Sequence, residues 1–265
     1  MNQDLALEKR LKSLDLHIDL DLEDLEWNLG TIKSIDITTC QQVSIAYYLL
    51  DDIAQATRHA KIVLAKVEDY LLGDWRERWN GFDWIPDERE PKKTVKVLRT
   101  FDRTDCRKRF TWMENFRAGL LWALCLDEDS VLRLARYPGE DLPEEAHVGG
   151  GFGPAEKGYY ILLSNQLLGG KGSDLGRHAE VIDQGRKTKP KLLLAALRQI
   201  ERRDPVDFSV ALVECLRHHV KHELPLRGLE NKLALDPSIL YRAAERSGLH
   251  TSIPSKYQDH LIALK

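Results

Sequence analysis

The stretch KPKLLLAALRQIERRDPVDFSVALVECLRHHVKHELPLRGLENKLALDPSILYRAAERSGL (Lys189–Leu249) decides the fold. Asp204 stands before Pro205, with Asp207 three residues on, and Asp236 stands before Pro237. An Asp side chain accepts from the free N–H groups of a first helical turn, and Pro at the first position has no N–H to leave unpaired. Both pairs therefore read as helix starts. Behind the first, Phe208, Leu212, Cys215 and His219 recur at i, i+4, i+7 and i+11 and mark one buried face. Behind the second come Leu240, Ala243 and Ala244, and Gly248 reads as the stop. Two helices over 205–222 and 237–247 follow, with another over 190–202 ahead of them.

The same reading extends toward the N-terminus. Ile45, Leu49, Ile53, Ala56, Ala60, Leu64, Val67 and Leu71 keep the helical period and predict one helix over 40–73, capped by Thr38 or Thr39 and ended by Gly73. Met113, Phe116, Leu120 and Leu124 predict a helix over 104–126, and a shorter one follows Asp129 and stops at Pro138. Helices are also expected over 155–168 and 175–185. Residues 4–29 are acidic and Leu-rich, and the alternation from Leu14 to Leu22 competes with their helical composition. Any extended segment is expected within 14–38. Residues 74–94, with Pro86 and Pro91, read as an irregular connection. Gly139 to Gly158 holds six glycines and two prolines and reads as a flexible loop. The expected fold is all-α: one multi-helix domain of antiparallel helix pairs over residues 1–265.

Composition narrows the function. A chain of 265 residues with 43% apolar and 31% charged residues can bury a sizeable core. A net charge of −3 gives no reason to expect nucleic acid or a membrane surface. The basic run RKRF (107–110) is interrupted by Asp102 and Asp105 nearby and reads as a solvated helix start. Cys40, Cys106, Cys125 and Cys215 form no CxxC pair, and Cys125 and Cys215 read as small buried hydrophobes. Without an apolar leader or a run of about 18 apolar residues, a cytoplasmic location is expected.

Chemistry-bearing patterns are sparse. His218 and His222 stand at i and i+4 with Glu223 beside them, a spacing that can present two imidazoles to one ion. No Glu lies between them as a zincin requires, and a basic helix C-terminus accounts for them, so no metal is assigned. GGGFGPAEKG (149–158) lacks the Lys-Ser/Thr of a phosphate loop, and no G-x-S-x-G elbow occurs. The pairs Asp51–Asp52 and Glu144–Glu145 read as ordinary solvated charges. No catalytic residue and no cofactor are expected. The one concentration of recognition-type side chains is Trp75, Arg76, Arg78, Trp79, Phe82 and Trp84. Trp and Arg dominate interface hot spots, so Trp75, Arg76, Arg78, Trp79 and Trp84 are the candidate partner-binding residues, against a plainer reading in which the rings pin the segment to the core.

Three segments carry a resemblance: FRAGLLWALCLDEDSVLRLARYP (116–138), LLLAALRQIERRDPVDFSVALVECLRHHVKHE (192–223) and LALDPSILYRAAERSGLHTSIP (233–254). Together they resemble immunity family 49 of bacterial polymorphic toxin systems, over roughly residues 40 to 260. Ile200, Asp204, Phe208 and Ala211–Leu212 match one helix pair of that family, and Ala244 with Gly248–Leu249 matches its closing step. The resemblance implies an all-helical, non-enzymatic protein that binds and neutralises a cognate toxin. It carries over no catalytic residue. The alternative is a helical scaffold or adaptor that holds another protein or peptide.

Overall fold

The structure is a computed structural model that describes residues 29–72, 79–86, 88–90, 93–101, 112–126, 128–140, 153–170, 175–226 and 228–262. Among them are ten α-helices: α1 (Leu29–Leu49), α2 (Ile53–Leu72), α3 (Trp112–Leu126), α4 (Glu128–Glu140), α5 (Pro154–Leu167), α6 (Leu175–Gln184), α7 (Thr188–Arg202), α8 (Pro205–His222), α9 (Leu235–Arg246) and α10 (Ser255–Gln258). A 3-10 turn covers Leu229–Asn231. A hairpin of β1 (Trp79–Pro86) and β2 (Thr94–Phe101) stands between α2 and α3. The fold is all-α in class, with α1 packed on α2, α2 on α3, α5 on α6 and α7 on α8.

The helix expected over 40–73 is two helices. The chain turns at Asp51, whose φ of 61° lies in the left-handed region that Asp tolerates better than most residues. Asp52 then caps α2, because its Oδ1 accepts from the Gln55 N–H at 3.1 Å. The acidic pair read as solvated charge is thus a helix stop and a helix start. The segment 32–38, where an extended element was expected, lies inside α1. Thr38 and Thr39 therefore do not cap a helix. Residues 1–28 lie outside the described residues.

Strand occurs where an irregular connection was expected. β1 and β2 pair antiparallel with Phe82 opposite Leu98 and Trp84 opposite Lys96. TVKVLRTF (94–101) is rich in β-branched residues at alternating positions, a pattern that favours a pleated ladder over a helix. The flexible loop expected over 139–158 is shorter at both ends. α4 runs on through Pro138 to Glu140, since a Pro in a last turn forfeits only one ladder bond. α5 begins at Pro154, where the Gly153 N–H donates to Glu156 Oε2 at 2.8 Å. Residues 141–152 lie outside the described residues.

One continuous core runs from α1 to the C-terminal turn. Ala56, Ala60, Val63, Leu64, Val67, Tyr70 and Leu71 form the buried face of α2. That face meets α3 closely at Gly119, where a Cβ would collide with the side chain of Val67. Phe208 and Leu212 on α8 and Leu240 and Ala244 on α9 are fully buried in the same core, as their spacing predicts. The αL residue Arg203 and the cap Asp204 turn α7 into α8. Gly248, with φ 75°, ends α9 as the Leu249 N–H bonds back to the Ala244 carbonyl at 2.9 Å.

The first turn of α9 lies at the centre. Leu235, Asp236, Pro237, Ser238, Ile239 and Leu240 are all buried. Ser238 fastens the C-terminal segment there, with its hydroxyl accepting from the Ile262 N–H at 2.9 Å. Tyr48 of α1 donates to the neighbouring Leu261 carbonyl at 2.9 Å.

Candidate functional site

Asp236 sits beside a Pro exactly as Asp204 does in sequence, yet the two carboxylates do different work. Asp204 is an N-cap: Oδ1 accepts from the N–H groups of Val206 and Asp207, each at 3.0 Å. Asp236 is not a cap. α9 starts one residue earlier, at Leu235, and the Asp236 side chain is only 4% exposed. It turns inward and meets three other helices. Lys189 at the start of α7 lies 2.6 Å from its Oδ2, and Arg117 of α3 lies 3.8 Å from the same oxygen. The Tyr160 hydroxyl of α5 donates to its Oδ1.

A second carboxylate extends the cluster. Lys189 also pairs with Glu223 at 2.8 Å. Glu223 follows the last residue of α8, and its Oε2 accepts from Nδ1 of the buried His219 at 3.0 Å. Side chains from α3, α5, α7 and α8 thus converge on the first turn of α9, with two cations balancing two anions. Lys189 and Glu223 are each at the wrong end of a helix. A cation opposes the positive N-terminal end of α7, and an anion opposes the negative C-terminal end of α8. Because α7 and α8 run antiparallel, these two ends adjoin, and pairing the misplaced charges offsets both penalties.

Ionisation states follow from the geometry. Burial opposes charge on Asp236, but Lys189 and then Arg117 outweigh it and hold its carboxyl well below the usual carboxylate range. Burial likewise opposes charge on Glu223, but the hydrogen bond from His219 and the charge of Lys189 bring its pKa down to about 2. Burial works against the Lys189 ammonium too, but Asp236 and Glu223 prevail and raise its pKa. Burial, reinforced by Asp236, pushes Tyr160 up, so its phenol stays a neutral donor. At neutral pH the two carboxylates are ionised and Lys189 is protonated, which leaves none of these groups poised to exchange a proton. The crevice beside them, bounded by Lys189, Leu193, Cys215, His219, Glu223 and Pro237, measures about 10 Å³. That is the room of about one water and admits no organic substrate. What this arrangement can do is hold helices in register.

Of the candidate partner-binding residues, only Trp79 and Trp84 lie among the described residues. Trp75, Arg76 and Arg78 lie outside the described residues. Trp79 and Trp84 are placed on β1, opposite Phe101 and Lys96 of β2. The His218 and His222 rings stand together, their centroids 4.6 Å apart. Among the described residues no group of three or more His, Cys, Asp or Glu side chains could hold a metal ion. Cys215 is buried, as expected, and burial pushes its thiol up to about 12. Cys125 is only half-buried, and burial pushes it up to about 11.

Two surface features were not foreseen. Val206 and Val210 on α8 are 70% and 60% exposed, a neighbouring apolar pair on the face opposite Phe208. Their signal was legible, since both fall out of register with the buried Phe208–Leu212 stripe. A groove of about 580 Å³ also opens between α2 and the start of α4, with Leu64 and Leu126 among Lys61, Glu68 and Asp129. No helix among the described residues is long and apolar enough to cross a membrane. The chain matches no protein-family description, no curated protein and no solved structure.

Proposed function

We propose that this chain is a bacterial immunity protein, acting in the cytoplasm, that binds a cognate protein toxin and blocks it by occlusion rather than by turnover. The observation that carries this reading is the fate of the residues on which the resemblance to immunity family 49 rests. Ile200, Phe208, Leu212, Ala244 and Leu249 are buried in one core. Asp204 caps α8, and Gly248 supplies the left-handed stop of α9. The residues that match are therefore ones that build the helical frame. The inward-facing ion cluster favours the same reading, because its charged groups brace helices.

Co-expression with the protein encoded beside this gene is the direct test. The expected outcome is rescue of a sensitive host and a stable complex on purification. Unchanged survival after deletion of this gene, with an active neighbouring toxin, would sink the reading. Trp79→Ala and Trp84→Ala test the proposed contact residues, and a weakening of about 2 kcal/mol or more is expected if the ring is a hot spot. Full protection and unchanged affinity in both variants would remove the hairpin from the interface while sparing the function. The second reading is an adaptor for another protein or peptide, which the groove between α2 and α4 favours.

A further inference from the structure

We propose that His218 and His222 form a two-imidazole chelate for a divalent transition metal, zinc or copper, at the C-terminal end of α8. The two residues are one turn apart on one helix face, and their ring centroids are 4.6 Å apart with the planes 40° from parallel. That separation is what chelation requires. A metal–imidazole bond is about 2.0–2.1 Å, and a ring nitrogen lies about 1.1 Å from the ring centre. Two rings bound at adjacent positions of a tetrahedral or square ion therefore have centroids about 4.5–5.2 Å apart. Rotation about the soft terminal torsion of each His turns a nitrogen toward the shared point without moving the helix.

The C-terminal end of α8 favours a cation there. His222 is the last residue of α8, where the free carbonyls form the negative end of the helix. His218 is half-buried and His222 is exposed, so an ion reaches the pair from solvent. Glu223 is the adjacent carboxylate, but Lys189 at 2.8 Å and His219 at 3.0 Å already engage it. The chelate therefore has two protein ligands, with water completing the shell. Such a site exchanges its metal readily and is distinct from a resident metal centre. Copper should bind more tightly than zinc, following the general order of divalent affinities.

Calorimetric titration of the tag-free full chain with zinc chloride, and separately with copper chloride, tests this. One equivalent should bind saturably, copper tighter than zinc, and the melting temperature should rise with metal. His222→Asn, at an exposed position, should weaken binding at least tenfold with an unchanged circular dichroism spectrum. His218→Asn should do the same. Equal affinity in the His218→Asn/His222→Asn double variant would place the ion elsewhere and overturn the proposal, as would no saturable binding at millimolar metal.

Discussion

At the scale of single residues, the two Asp-Pro pairs carry the main lesson. Asp204 holds two N–H groups at the surface, where water competes, so Asp204→Ala should cost about 1 kcal/mol. Asp236 is buried beneath Lys189, Arg117 and Tyr160. Its removal leaves uncompensated positive charge inside the protein, so Asp236→Ala should cost on the order of 3–5 kcal/mol. Urea denaturation of both variants checks the difference. Equal losses would mean that the Asp236 cluster is solvated and contributes no more than a cap. Nothing local distinguishes the two residues in sequence, since each precedes Pro and opens a run of helical apolar positions. What separates them is the set of side chains that arrives from residues 117, 160, 189 and 223.

At the scale of elements, hydrophobic period and steric fit govern. Phe208 is fully buried in the core that also takes Leu240 and Ala244. Phe208→Ala should cost on the order of 3–5 kcal/mol, and a loss below about 1 kcal/mol in denaturant melts would show the register to be wrong. The contact between α2 and α3 depends on the opposite feature, a missing side chain. Gly119→Ala should raise helix propensity yet destabilise the protein by about 1–3 kcal/mol, because the new Cβ would overlap the side chain of Val67, and a β-branched residue in a helix strongly prefers one rotamer. A stabilised Gly119→Ala variant would indicate that the two helices stand farther apart. Two element boundaries escape the local pattern, each for its own reason. The 40–73 period continues unbroken through Asp51 and Asp52, because apolar spacing on α1 and α2 happens to stay in phase across the turn. The hairpin is obscured in sequence because Pro86 and Pro91 read as breakers, while the period-two signal of Val95 and Val97 is only two residues long.

At the scale of the whole molecule, the buried cluster couples stability to acidity. Asp236 and Glu223 both have folded-state pKa values below their ordinary ones, with Glu223 at about 2. Their contribution is fully present above the unfolded carboxylate range, about pH 4.5, and is lost as the pH falls toward 2. Lys189 is shifted the other way, so its contribution persists up to its ordinary value of 10.5 and declines only as pH rises through the higher folded value. Melting temperature followed from pH 7 to pH 2.5 should fall steeply below about pH 4.5. Asp236→Asn, with one of the two carboxylates gone, should start lower and fall more gently; an unchanged slope would mean that other carboxylates govern acid unfolding.

By itself the sequence determined the helical class, the α7–α8 pair, the cap at Asp204, the stop at Gly248 and the buried faces of α8 and α9. Each of these rests on hydrogen bonds and side-chain spacings that close within about four residues, so the information is local. The tertiary structure alone decided that Asp236 is the centre of an ion cluster, that His219 serves Glu223, and that Lys189 and Glu223 sit opposed at adjoining helix ends. Lys at a helix start and Glu at a helix end were the one local trace of it, two charges that each oppose their own helix dipole. Their partners are set by which helices pack together, and burial then makes the resulting charge balance compulsory, because an unpaired ion in that core costs more than any local preference can offset.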